Sequence, residues 1–261
     1  MQIEFLPLLE TQRSLLDHPR GFERFRKYLE TMIGADGEPV LPLMAFNPMA
    51  KSHVAAVLDN LIEVGAETAA REAAATGGAR LAAEPGAYKL GLVLADDSHG
   101  GWTNRYCAEA SHHFQPHGEN NLGFITVLLW TSSVVDPDLV RHETLMAIYR
   151  RAWINRCGEP KTLGAMLDLL GWAHTFAAGS IPLPCGISIP AEQILMQHLD
   201  SDHYPTIMAC LYGDAAATSL GYATLGLPDC AGFRYAATAE KYSDDPLIAL
   251  SGHAPSTHEV H

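Results

Sequence analysis

Hydrophobic and polar residues follow a pattern that repeats three times along the chain: a short apolar run, a polar break and then a helix-like segment. The apolar runs lie near residues 40–46, 89–95 and 123–131. The last two are apolar at most positions, which is typical of short strands that are buried on both faces. Strands that alternate with helices predict a small, mainly parallel sheet, and therefore a helix-rich α/β fold.

Helical patterns occupy most of the remaining chain. Residues 5–33 are predicted to form two helices, and Asn47-Pro48 predicts a helix start, because asparagine is a frequent N-cap and proline is favoured at the first helical position. The region after Gly158 is predicted to be helical around a proline-rich connection. The predicted organisation is an N-terminal helical pair at 1–37, an α/β core at 38–157, and a C-terminal helical region at 158–261 packed on the core.

The polar break after the second apolar run carries the main candidate chemistry. In parallel sheets the carboxyl ends of the strands share one edge, where α/β proteins bind their ligands. The break reads "DDSHGGW", and an arginine follows three residues later. Paired carboxylates and an imidazole can act as acid and base or bind a divalent metal, while an arginine can hold a substrate carboxylate. The residues predicted to be catalytic are Asp96, Asp97, His99 and Arg105.

Other polar residues at this edge are predicted to bind the substrate. Adjacent glycines let a ligand approach the backbone, and amide groups at a helix start attract anions. The glycines do not match the loops that bind dinucleotides or nucleotides. The predicted substrate-binding residues are Asn47, Gly100, Gly101, Trp102 and Ser132. The alternative interpretation is structural, because Asp, Ser and Gly are ordinary residues of loops and helix caps.

Histidines suggest a second kind of site, since the chain contains 13 of them. Three are predicted to be buried on helices, where they either bond to protein groups or converge on one metal ion: His142, His174 and His198. Two acid-x-x-His pairs, Glu109 with His112 and Asp200 with His203, have the spacing that di-iron bundles use.

Charge and composition narrow the classes of partner. With 17 Lys and Arg against 30 Asp and Glu, the net charge is −13, which disfavours nucleic acid. The opening residues do not have the pattern of a secretory signal, and the longest apolar run is too short to cross a bilayer. Five scattered cysteines without a C-x-x-C motif indicate reduced thiols. The prediction is a soluble cytoplasmic protein that binds a small molecule and is compatible with a homo-oligomer.

Three functions fit these features. The first is an enzyme that acts on a small polar metabolite at the carboxyl edge of the sheet, by metal-dependent hydrolysis or by proton transfer. The second is a non-catalytic ligand-binding or assembly protein that uses the same edge. The third is a non-haem iron oxidase that uses the acid-x-x-His pairs.

Overall fold

The computed structural model describes residues 1–98, 103–116 and 122–252. Within them the chain forms a three-stranded parallel sheet and helices, which confirms the predicted α/β fold class. The strands, in the order β1-β2-β3, are β1 (Gln2–Leu6), β2 (Ala87–Ala95) and β3 (Phe124–Trp130). The helices up to residue 157 are α1 (Leu9–Leu15), α2 (Phe22–Met32), α3 (Ser52–Glu63), α4 (Ala66–Arg80), α5 (Arg105–Phe114) and α6 (Pro137–Cys157). The later ones are α7 (Leu163–Phe176), α8 (Ile189–Gln197), α9 (Tyr204–Tyr212), α10 (Asp214–Ser219), α11 (Ala231–Thr238) and α12 (Pro246–Ser251), with a 3₁₀ turn at Glu240–Tyr242.

The central strand β2 confirms the strongest sequence signal. It pairs in parallel with β3, with Ala95 opposite Trp130, and α5 lies between these strands in the chain. Every β2 residue from Leu90 to Ala95 is buried, as expected for a strand that is covered on both faces. The carboxyl ends of β2 and β3 therefore meet at one edge, as the sequence predicted.

The predicted strand at 40–46 is wrong. Only an isolated antiparallel bridge between Ile33 and Pro39 forms near this segment, and the chain then turns, with the amide of Phe46 donating to the carbonyl of Leu43. Pro42 cannot donate a ladder hydrogen bond. Leu43 and Phe46 are fully buried, so their apolar character reflects core packing rather than strand pairing.

The third strand is instead β1, at the start of the chain, where the sequence pattern predicted a helix from Phe5. In β1, Gln2 and Glu4 are exposed while Ile3, Phe5 and Leu6 are partly buried, which is the period-two pattern of a half-covered strand. The strand is only five residues long, so this alternation is a weak signal.

A glutamine side chain extends the sheet beyond the end of β1. The last β1 pairing is Leu6 with Gly91, so the next β2 residues have no strand on that side. Gln12, which is fully buried on α1, fills this position. Its Nε2 donates to the carbonyl of Leu92 at 2.9 Å, and its Oε1 accepts from the amide of Leu94 at 2.9 Å. A primary amide offers the same donor and acceptor as a peptide unit, so Gln12 acts as one residue of a missing strand.

The chain divides into two compact units. Unit 1 comprises Met1–Ala108 and Pro116–Ile148, and contains the sheet. Unit 2 comprises Glu109–Gln115 and Tyr149–His261, and its described part is helical. No feature of the sequence pattern indicated these boundaries, and the three-part organisation expected from the sequence stays a prediction. Among the described residues, no helix combines the length and the apolar character needed to cross a membrane.

In unit 2, a tyrosine near the end of the described chain packs into a notch in α7. Gly171 forms the notch, because a Cβ atom there would lie 2.2 Å from Cδ2 of Tyr242. The Tyr242 hydroxyl donates to Oδ1 of Asp168 at 2.9 Å, and Thr175 Oγ1 donates to the carbonyl of Tyr242 at 2.6 Å. Burial raises the pKa of Tyr242 and so favours the neutral phenol.

Candidate active site

Asp96 is the first residue after β2 and is 3% exposed. A buried carboxylate is costly unless it accepts hydrogen bonds, and this one accepts several. Oδ1 lies 2.8 Å from Nε2 of His53 and 3.2 Å from Oγ1 of Thr131. Oδ2 accepts a bond of 3.4 Å from Nδ2 of Asn47. The backbone amide of Ser98 also donates to Oδ1, at 3.4 Å. Asp96 is therefore the centre of a polar cluster that joins three chain segments.

His53 lies in the first turn of α3, and its side chain is 21% exposed, against 4% for Asp96. Because an ionised carboxylate can only accept, the bond to Asp96 places a hydrogen on Nε2. This pairing of a buried aspartate with a more accessible imidazole fixes both the orientation and the tautomer of the ring.

The predicted role of Asn47 as a helix cap is wrong, because α3 begins at Ser52. Asn47 is buried, and it uses both ends of its amide, with Oδ1 accepting from the amide of Met49 at 2.9 Å and Nδ2 reaching Asp96. The buried guanidinium of Arg24 contacts the segment before α3, where it donates to the carbonyls of Pro48, at 3.5 Å, and of Ala50, at 3.3 Å.

Asp97 lies in an adjoining network, which connects the ends of β2 and β3 and shares Thr131 with the Asp96 cluster. Its Oδ1 accepts from the amide of Ser132 at 3.0 Å, and its Oδ2 accepts from the Ser132 hydroxyl at 2.6 Å. Arg105 Nη1 lies 3.7 Å from Oδ2 and also donates to the hydroxyls of Ser132, at 3.1 Å, and Ser133, at 3.0 Å. The Arg105 guanidinium stacks 5.3 Å from the centre of the Trp130 ring. The structure thus brings Asp97, Arg105 and Ser132 together, and their bonds connect the loop after β2 with the loop after β3.

The loop between Asp97 and α5 is only partly described. His99, Gly100, Gly101 and Trp102, which the sequence assigned to catalysis and substrate binding, lie outside the described residues. The first turn of α5, which carries Arg105, borders an open surface depression lined by Thr103, Asn104, Cys107 and Ala108.

The three histidines predicted to bind a metal lie among the described residues, but they do not form a metal site there. His142 is buried on α6, as predicted, whereas His174 on α7 and His198 after α8 are only partly buried. Among residues 1–98, 103–116 and 122–252, no group of three or more His, Cys, Asp or Glu side chains could hold a metal ion. The predicted metal set of His142, His174 and His198 finds no support there. The two acid-x-x-His pairs, Glu109 with His112 and Asp200 with His203, find no support as a metal site either.

Two residues of the Asp96 cluster, His53 and Thr131, are not among the site residues predicted from the sequence. Thr131 directly follows β3, as Asp96 follows β2, whereas no strand directly precedes His53, which reaches Asp96 from the first turn of α3. The expected helix start at Pro48 would have placed His53 well inside a helix, which hid this relation.

Comparisons with protein-family models, with curated proteins and with solved structures find no match to this chain. The chemistry of the cluster around Asp96 is therefore the basis for a functional assignment.

Proposed function

We propose that this protein is an enzyme that transfers protons on a small polar metabolite, with His53 as the acid–base group and Asp96 as the residue that orients it. The observation that supports this proposal is the contact of 2.8 Å between His53 Nε2 and Asp96 Oδ1 at the carboxyl edge of a parallel sheet. With Nε2 bonded to Asp96, the neutral ring carries its lone pair on Nδ1, and a ring nitrogen with a lone pair is the kind of atom that accepts a proton in acid–base catalysis.

The polar character of the cluster supports the substrate class. Asp96 is surrounded by the side-chain amide of Asn47, the backbone amide of Ser98 and the hydroxyl of Thr131. Such groups recognise hydrogen-bonding ligands rather than apolar ones. Hydrolysis, with or without a divalent metal, remains a second reaction class for the same residues.

The alternative is a non-catalytic ligand-binding or assembly protein, and the intramolecular bonds of Asp97 are compatible with it. Asp97 accepts from the backbone and side chain of Ser132 and lies near Arg105. These bonds stabilise the two loops, so this half of the edge can serve structure alone.

A thermal-shift screen tests binding at this cluster. The wild-type protein would be heated with a panel of carboxylic acids, amino acids, sugars and their phosphate esters. A ligand at 100 times its dissociation constant stabilises the folded state by about 2.7 kcal/mol. We expect one compound class to raise the melting temperature of the wild type and of His203→Gln, a control at an exposed histidine. The same class should shift His53→Gln and Asp96→Asn much less, and equal shifts in all four proteins would refute binding at the cluster.

Proton exchange tests catalysis. The compounds that bind would be incubated with the protein in D₂O and followed by ¹H NMR. A proton-transfer enzyme replaces a substrate C–H by deuterium, so the corresponding signal should fade with the wild type and persist with His53→Gln. Binding without deuterium incorporation or product formation would leave the non-catalytic alternative as the better account.

A further inference from the structure

Thr131 lies between the two aspartates. Its backbone amide donates to the carbonyl of Ala95 at 3.1 Å, which continues the ladder between β2 and β3 by one residue. Its hydroxyl oxygen lies 3.2 Å from Oδ1 of Asp96 and 3.0 Å from Oδ1 of Asp97. Threonine has a restricted χ1 angle, so a backbone fixed by the ladder places this hydroxyl in a defined position.

The hydroxyl has a single hydrogen, so it can donate to only one of the two carboxylates at a time. Its oxygen can also accept, and it lies 3.2 Å from the amide nitrogen of Asp97 and 2.9 Å from the hydroxyl of Ser98. The Asp97 amide donates to this oxygen, and when the Ser98 hydroxyl donates as well, the Thr131 hydrogen is available for a carboxylate.

The two carboxylates differ in how much they depend on this hydrogen. Asp97 has two strong donors besides it, the amide and the hydroxyl of Ser132, at 3.0 and 2.6 Å. Besides His53, the other donors to Asp96 among the described residues are Asn47 and the Ser98 amide, both at 3.4 Å, near the limit of a hydrogen bond. Loss of the Thr131 hydroxyl should thus disturb Asp96 much more than Asp97.

We propose that Thr131 is the positioning residue of the His53–Asp96 pair: its hydroxyl holds Oδ1 of Asp96 where it meets Nε2 of His53. The importance of this role for catalysis rests on the proposed function, but the positioning itself does not. Because Thr131 directly follows β3, its hydroxyl fixes the position of Asp96, at the end of β2, relative to β3. Asp96 in turn bonds His53 at the start of α3.

Histidine NMR tests the positioning without a substrate. In the ¹⁵N-labelled protein, the ring signals of His53 are assigned by their loss in His53→Gln. At a pH where the ring is neutral, the two ring nitrogens resonate far apart when one tautomer dominates, and their shifts converge when both tautomers are populated. We expect well-separated shifts in the wild type, converged shifts in Thr131→Val, which replaces the hydroxyl with a methyl group, and restored separation in Thr131→Ser, which regains the hydroxyl.

Ser132→Ala is the matched control, because Ser132 bonds Asp97 and Arg105 rather than Asp96. It should leave the His53 shifts unchanged. Unchanged shifts in Thr131→Val, or failure of Thr131→Ser to restore them, would overturn the proposal. If Thr131→Val does not fold, Thr131→Ala gives the same comparison, and a failure of both to fold would show that the hydroxyl serves stability instead. These results are independent of whether any compound binds or reacts, so a failure of the proposed function is seen separately.

Discussion

Replacing Gln12 with methionine isolates the contribution of one side chain to the sheet. Methionine has nearly the same length and volume but forms neither bond of the amide. The change removes the partners of the Leu92 carbonyl and the Leu94 amide, both on buried residues of β2. The carbonyl of Leu8, which also accepts from the Gln12 side chain, keeps its bond to the Gln12 backbone amide at 2.9 Å. Two backbone groups are therefore left without their partner.

The size of the effect follows from this count. A buried polar group that loses its partner costs about 1–3 kcal/mol. For two groups, and with some compensation from the more apolar methionine, we expect the free energy of unfolding to fall by about 2–5 kcal/mol. Domains are commonly stable by only about 5–15 kcal/mol, so the loss should be large.

Urea denaturation followed by circular dichroism measures the loss, and hydrogen exchange locates it. Gln193→Met is the control, because Gln193 is an exposed glutamine on α8, and it should change stability by less than about 0.5 kcal/mol. Amides of β2 should exchange faster in Gln12→Met than in the wild type. A loss below about 1 kcal/mol, or unchanged exchange in β2, would mean that water or a shift of the backbone satisfies the two groups.

Two further predictions concern unit 2. Gly171→Ala should lower the free energy of unfolding by about 1–3 kcal/mol, because its methyl group would displace the Tyr242 ring. The control is Gly186→Ala, whose methyl group meets nothing closer than 3.4 Å and which should lower the melting temperature far less. Equal losses in the two variants would contradict the close packing of Tyr242 on Gly171. Burial raises the pKa of Cys210 to about 12, so at pH 8 this thiol should resist iodoacetamide until the protein unfolds, while the exposed Cys185 should react readily. Mass spectrometry of labelled peptides measures the labelling of each cysteine. Equal labelling in the native protein would show that Cys210 is accessible.

The local sequence was sufficient to predict those elements whose residues are mostly buried on both faces. β2 and β3 are continuous apolar runs bounded by polar residues, and the α6 start carries its own cap, with Asp136 Oδ1 accepting from the amide of Leu139 at 2.8 Å. The position of the polar edge followed from these strands. Such features depend on residues that are close in sequence, so their signals are visible in one segment.

Features that depend on distant partners could not be predicted in this way. Gln12 bonds to β2 residues that are 80 and 82 positions away, and His53 meets Asp96 across 43 positions. The difference between Asp96 and Asp97 has the same origin. The two are adjacent and chemically identical, and only the packing of α3 and β3 decides which one meets an imidazole and which one binds a loop.

The Gln12 amide also bears on how chains associate with one another. A strand edge with free amide and carbonyl groups is a template on which another chain can add a strand. The β2 segment beyond Gly91, Leu92 to Ala95, is apolar and uncharged, and exposed strand edges of this kind favour aggregation. By occupying its carbonyl at Leu92 and its amide at Leu94, Gln12 closes this edge to intermolecular pairing, so the same side chain that completes the sheet also limits its growth.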